Sequence, residues 1–284
     1  MLIGLSHDAD SIRKGFRHVW KVRKRFSRRQ LLAHFLGLKN LYDNFQDIMA
    51  FEEEMGVRST FFIPVVLFDV GEIEDTLREL VEGGWEIGLH FVVEGTQRAG
   101  LARMEKEWLE GLLGTRLEGV RSHGLIIDDR LMEAYARAGF TYDSSYRMEE
   151  VGRSTPFRHP SGLVEVPIGV MDADLFGRLH LNERRAMKYV MEKVERAAQR
   201  GEEAFVLLFH QESFSMRGGR IYKDVLRALL EENKAFKLLD LIHELGLAVE
   251  EADSGHGGRG SRGRQLHKGP QSGGRLLHSG PRPR

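Results

Sequence analysis

Two aspartates stand one residue apart in Ser6-His7-Asp8-Ala9-Asp10, directly after the apolar run Leu2-Ile3-Gly4-Leu5. Side chains alternate along a strand, so both acids leave its end on the same side and can converge on one point. A pair so placed can hold a metal ion or share a proton; it can equally serve as turn or cap chemistry. Other ionisable residues follow other short apolar runs: His90 ends Glu86-Ile87-Gly88-Leu89-His90, Arg121 and His123 close Gly119-Val120-Arg121-Ser122-His123, Asp143 follows Tyr142, and His210 ends Leu207-Leu208-Phe209-His210. Arg121 and His123 share strand parity, and His210 continues the inward row of Val206 and Leu208. A lone histidine there reads as a hydrogen-bonded core residue, but several ionisable groups at separate strand ends point to one functional rim. The chain has no cysteine, so any metal must be held by imidazole and carboxylate, and the fold needs no oxidising compartment.

The elements that must position these residues alternate. Strands are expected at Leu2 to Ser6, Thr60 to Leu67, Trp85 to His90, Gly119 to Ser122, Phe140 to Tyr142, Leu163 to Ile168, Phe205 to Phe209 and, weakly, Leu247 to Val249. Helical patterns fall at about 12–53, 72–83, 99–113, 128–138, 183–200 and 221–245. This alternation predicts an α/β fold with a largely parallel sheet, and seven or eight strands suit a closed or nearly closed barrel. No Gly/Pro-rich linker interrupts it before residue 252, so residues 1–252 are expected to form one unit. The start of the chain lacks the features of a secretion signal and no run approaches about 18 apolar residues, so a cytoplasmic chain without a transmembrane segment is expected.

Formal neutrality hides an uneven charge. Residues 253–284 hold seven Lys/Arg and one acid, against 35 basic and 41 acidic residues before them. This Gly/Arg-rich tail has no sustained apolar period to offset its ordering entropy and is expected to be disordered, a solvated extension rather than a nucleic-acid site. A second basic stretch lies between the first two strands: Ser11 to Tyr42 carries ten Lys/Arg and no acid, most of them within 13–29. Phe16, Trp20, Leu31, Leu32, Phe35 and Leu36 could give it an apolar face. The favoured expectation is a surface helix packed on the barrel with a solvated basic face; the sharper alternative is a basic wall beside the rim that binds an anionic carrier.

Five of these segments, with the fourth read as Gly139-Phe140-Thr141-Tyr142-Asp143-Ser144-Ser145, resemble in order and approximate spacing the motifs of the polysaccharide deacetylases, the metal-dependent carbohydrate esterases of family four. The resemblance spans residues 1 to about 250 and implies a distorted seven-stranded (β/α) barrel, here with a helical insertion after the first strand. It implies removal of N-acetyl, sometimes O-acetyl, groups from a glycan or glycoconjugate with Zn²⁺ or another divalent metal. Carried over by motif, it makes Asp8 the general base, Asp10 a metal ligand and His90 the first metal histidine. Arg121 then orients the base and keeps it ionised, and His210 donates a proton to the departing amine.

Two departures bear on the site. The second metal histidine expected four residues after the first is Glu94 here, so either Glu94 or His123 completes the site. The Arg-x-His variant resembles a subgroup with the same His-Asp-x-Asp opening, and parity with Arg121 favours His123 as the third ligand. The substrate-stacking tryptophan of the family has no clear counterpart, and Tyr142-Asp143-Ser144-Ser145 more resembles the allantoinase-like branch of the superfamily. Alternatives are therefore an amide hydrolase acting on a small non-glycan substrate, and a degenerate barrel serving as a glycan-binding module. Asp143 could orient a catalytic histidine or cap a turn with the two serines.

Overall fold

Ten strands carry the fold in a computed structural model that describes residues 1–93 and 98–247. They are β1 (Leu2–Asp8), β2 (Thr60–Ile63), β3 (Glu86–Phe91), β4 (Gly119–Ser122), β5 (Tyr142–Asp143), β6 (Phe157–Arg158), β7 (Val164–Glu165), β8 (Ile168–Met171), β9 (Ala204–Leu208) and β10 (Lys234–Phe236). Their order is β6-β7-β5-β4-β3-β2-β1-β9-β8, with β10 also beside β1, and only β6 with β7 is antiparallel. Parallel strands covered on both faces need nearly continuous apolar runs, which Ile3, Leu5, Phe61 to Ile63 and Phe205 to Leu208 supply, all fully buried. Glu94, the last two residues of the weak strand expected at Leu247 to Val249, and the tail with its boundary at residue 252 lie outside the described residues.

The strand expected over Leu163 to Ile168 is two. Pro167 has no N–H to give to a ladder, so the chain breaks there: β7 pairs with β5, and β8 pairs with β9 at the opposite end of the sheet. Residues 164–171 therefore run from β7, one strand in from one edge, to β8 at the other edge, and the sheet curls into the distorted (β/α) barrel. The short β6 and β10 were not expected; neither carries an alternating apolar run long enough to read as a strand.

Helices α1 (Phe16–Lys21), α2 (Arg28–Phe35) and α3 (Phe45–Glu54) replace the single helical pattern expected over 12–53. Ser27 breaks the run. It is extended and accepts from the Gln30 N–H, while the Gln30 side chain accepts from the Ser27 N–H, a reciprocal cap that starts a new helix. Gly37, with φ +71°, then turns the chain away. The apolar face of the insertion is also not the expected one: Val19, Phe26, Leu41 and Tyr42 pack inward, together with the partly buried Leu31, whereas Phe16, Trp20, Leu32, Phe35 and Leu36 are exposed.

Helices α4 (Glu74–Glu82), α5 (Ala102–Leu113), α6 (Asp129–Arg137), α7 (Met148–Val151), α8 (Glu183–Gln199), α9 (Arg217–Leu230) and α10 (Leu238–Glu244) complete the fold. Their starts are chemically marked: Asp128 accepts from Leu131 N–H and Asn182 from Arg185 N–H. Helix α9 matters most for the site, because its first turn packs against the loop that follows His210. A Cβ on Gly219 would lie 1.8 Å from the Phe214 carbonyl oxygen, a backbone atom that cannot rotate away. Gly219→Ala is therefore expected to destabilise the fold by about 3 kcal/mol through overpacking; an unchanged urea midpoint would show that this contact does not constrain α9.

Candidate active site

Asp8 ends β1, and its carboxylate is gripped by a single arginine. Arg121 on β4 is fully buried; its Nη1 donates to Asp8 Oδ1 at 2.8 Å, its Nε to the Ser144 carbonyl at 2.7 Å, and its Nη2 to Ser144 Oγ at 2.7 Å and Ser6 Oγ at 3.1 Å. The guanidinium plane also lies 4.2 Å from the Phe62 ring centroid. A planar fork held by four acceptors and one ring fixes both the position and the charge beside Asp8. Burial works to raise the Asp8 pKa, but Arg121, His90 and His210 outweigh it and hold the carboxyl below its usual range. Asp8 Oδ2 faces the site, 3.8 Å from His90 Nε2.

Beside it, Asp10 Oδ1, His90 Nε2 and His123 Nδ1 form a triangle with sides of 3.1, 3.2 and 3.2 Å. The face of a tetrahedron around an ion with bonds of about 2.0–2.1 Å has edges of about 3.3–3.4 Å, so this donor set fits a zinc-like cation. His90 Nδ1 lies 3.2 Å from the Arg121 carbonyl, which can only accept, so Nδ1 is the donor to it and Nε2 is the nitrogen that would offer its lone pair to a cation at the triangle. Burial would raise the Asp10 pKa, yet hydrogen bonds from His123 and His90 pull it far down. The hydrogen bond to Asp10 raises His123 despite its desolvation. A proton on His123 and a cation at the triangle thus compete for the same charge, and metal binding here would release that proton.

His210 follows β9 and enters from the other side, its Nε2 3.6 Å from Asp10 Oδ2. Its Nδ1 is 2.6 Å from Asp172 Oδ1, and its backbone N–H donates to Asp172 Oδ2 at 3.3 Å. Burial alone would lower the His210 pKa, but Asp172, Asp8 and Glu212 raise it well above the ordinary value. Asp172 was missed in the sequence. Its signal is Met171-Asp172-Ala173-Asp174 after an apolar strand, the same acid-x-acid spacing that marks Asp8 and Asp10. Asp143 does not meet a catalytic histidine; it accepts from the Ser145 N–H and Oγ at 2.9 and 2.7 Å, which is the turn-capping alternative. His7, between the site residues, points to the opposite face, where it bonds the Phe209 carbonyl and Glu52.

A cleft of about 620 Å³ opens beside Asp10 and His210. The insertion forms one wall and the start of α9 another; Gln211, in the loop between β9 and α9, holds the insertion through its Nε2, which donates to the Ser11 and Tyr42 carbonyls at 2.7 and 2.9 Å. In place of one helix with a basic face, Arg17, Lys21, Arg25 and Arg28 are spread over α1, a 3₁₀ turn and α2, and Lys14, Lys24 and Arg25 line the cleft. Glu212 and Tyr42 also line it, and Glu212 Oε2 and Tyr42 Oη are buried without a hydrogen-bond partner. Burial pushes the Glu212 carboxyl up to about 8.

No family model and no curated protein matches the chain in sequence. Solved structures match in fold. A Mycobacterium smegmatis protein assigned as a polysaccharide deacetylase has a TM-score of 0.65 at 16% identity, over 86% of this chain and 90% of that one. Puue allantoinase gives 0.63 at 13% identity, over 87% and 92%. A family 4 acetyl xylan esterase from Clostridium thermocellum, in complex with a cobalt ion, gives 0.51 at 13% identity, over 87% and 93%. The chain thus has the (β/α)-barrel fold of the polysaccharide deacetylases, a fold that the allantoinase shares.

Proposed function

We propose that this chain is a metal-dependent amide hydrolase that removes N-acetyl groups from a glycan or glycoconjugate. The observation that carries the reading is the flanking of one three-donor face, Asp10, His90 and His123, by two oppositely tuned pairs: Asp8 held ionised by Arg121, and His210 held protonated by Asp172. An amide is a poor electrophile with a poor leaving group, so its hydrolysis needs an activated water and an acid for the nitrogen. A divalent ion held by Asp10, His90 and His123 would supply Lewis-acid polarisation of the acyl carbonyl and acidify a water. Asp8 Oδ2 takes the proton from the attacking water. His210 Nε2 gives its proton to the departing nitrogen as the C–N bond breaks, leaving acetate and the free amine. Arg121 keeps the base ionised without itself meeting substrate, and Asp172 keeps His210 turned and charged.

The small non-glycan amide remains the second reading, favoured by the allantoinase likeness in fold. Product release across N-acetylated glycans, sugar phosphates and small ureides tests the choice: acetate from the sugars supports the proposal, and turnover confined to ureides rejects it.

The pH profile carries a further expectation. Asp8, with its lowered pKa, stays ionised until acid pH, while His210, with its raised pKa, stays protonated until alkaline pH, so kcat should hold across neutrality and fall as pH rises through the His210 pKa. Asp172→Asn removes the negative partner that raises His210, so the alkaline limb should move to lower pH. A limb that stays in place would separate Asp172 from the proton donor.

A further inference from the structure

The cleft beside the catalytic rim is charged in a way that deacetylation alone does not require. Lys14, Lys24 and Arg25 from the insertion and Arg217 from the start of α9 line it, and among the described residues none of the four is in an ion pair. The insertion that supplies Lys14, Lys24 and Arg25 carries ten Lys/Arg and no acid over Ser11 to Tyr42, so nothing within that segment neutralises those three. Asp10 and His210 line the same cleft, so a ligand held in it can meet both the reacting groups and the cations. Against these four cations the lining sets three acids, Asp10, Asp172 and Glu212, of which Asp10 belongs to the donor triangle and Asp172 is paired with His210, so the cations are the charges left to attract a counter-charged ligand.

The geometry points to an anion subsite: Lys14, Lys24, Arg25 and Arg217 receive a phosphate-bearing group of the substrate whose N-acetyl end lies at Asp10 and His210. The inference rests on the hydrolase reading for that acyl end, while the cation cluster stands on its own. A phosphate could belong to a soluble sugar phosphate or to a lipid-linked one. The second source is worth testing because Phe16, Trp20 and Phe35 form an exposed aromatic cluster, with ring centroids 5.0–6.4 Å apart, on the same insertion.

The test titrates the zinc-loaded full chain at low ionic strength with N-acetylglucosamine 1-phosphate and with N-acetylglucosamine. The phosphate-bearing sugar is expected to bind at least about tenfold more tightly, with the advantage shrinking as salt rises. Lys24 and Arg25 lie on an exposed turn and are not among the three metal donors, so the double variant Lys24→Glu/Arg25→Glu should keep its zinc and its melting temperature and lose most of that advantage. Equal affinities in the wild type overturn the subsite, as does an advantage that the double variant retains, since the phosphate would then be held elsewhere. Co-sedimentation with phosphatidylglycerol vesicles separates the sources: capture that Trp20→Ser abolishes assigns a lipid-borne anion, and absence of capture assigns a soluble one. Acetate release distinguishes the two levels of the account. A phosphate advantage without acetate release from any acylated sugar would reject the hydrolase reading and leave the subsite; release with the same KM for neutral and phosphorylated sugars would reject only the subsite.

Discussion

Asp8→Asn is expected to lower kcat by about 10³-fold while the protein still binds one equivalent of zinc. The asparagine keeps the size of the side chain and a carbonyl oxygen for Arg121 Nη1, so the buried guanidinium is not left without an acceptor. What disappears is the carboxylate oxygen facing the site, and with it the proton acceptor. Asp10→Ala should behave differently, losing zinc and turnover together, because Asp10 Oδ1 is a corner of the three-donor triangle. Zinc content by atomic emission, measured with kcat on the same preparations, separates the two acids. Equal metal loss in both variants would mean that their roles are exchanged or shared.

The second large effect concerns the third metal donor. His123→Ala removes one corner of the triangle, and since loss of a supporting residue around a metal already costs 10–100-fold in affinity, loss of a donor should cost more than about 100-fold. Glu94→Gln should cost less than about tenfold. Competition with a chromophoric chelator measures both. The reverse order would make Glu94 the donor and leave His123 as a hydrogen-bonding neighbour of Asp10.

What the sequence revealed and what it hid follow from the range of the interactions involved. Asp8, Asp10, His90, Arg121, His123 and His210 were legible because each closes an apolar run and a parallel strand delivers its last residues to one end of the sheet. The structure gathers all six at that end. Asp172 was hidden because the run Leu163 to Ile168 reads as one strand, and only the barrel's closure shows that Pro167 splits it and sends β8 to the far edge beside β9. Its pairing with His210 spans 38 residues, so the local Asp172-x-Asp174 spacing does not disclose the partner. The insertion misled for a different reason. Its apolar residues are spaced for a helix, but which of them are buried depends on contacts such as Met216 against Tyr42 and Phe26, and on the Ser27 cap that breaks the helix in two.

The most direct measurement is acetate released from an N-acetylated sugar by metal-free protein as zinc is added back. The account predicts no release without metal, a linear rise to one equivalent and a plateau beyond it, with Asp8→Asn flat throughout despite binding the same zinc. Release that needs no metal, or a wild-type trace that stays flat after one equivalent has bound, would contradict it.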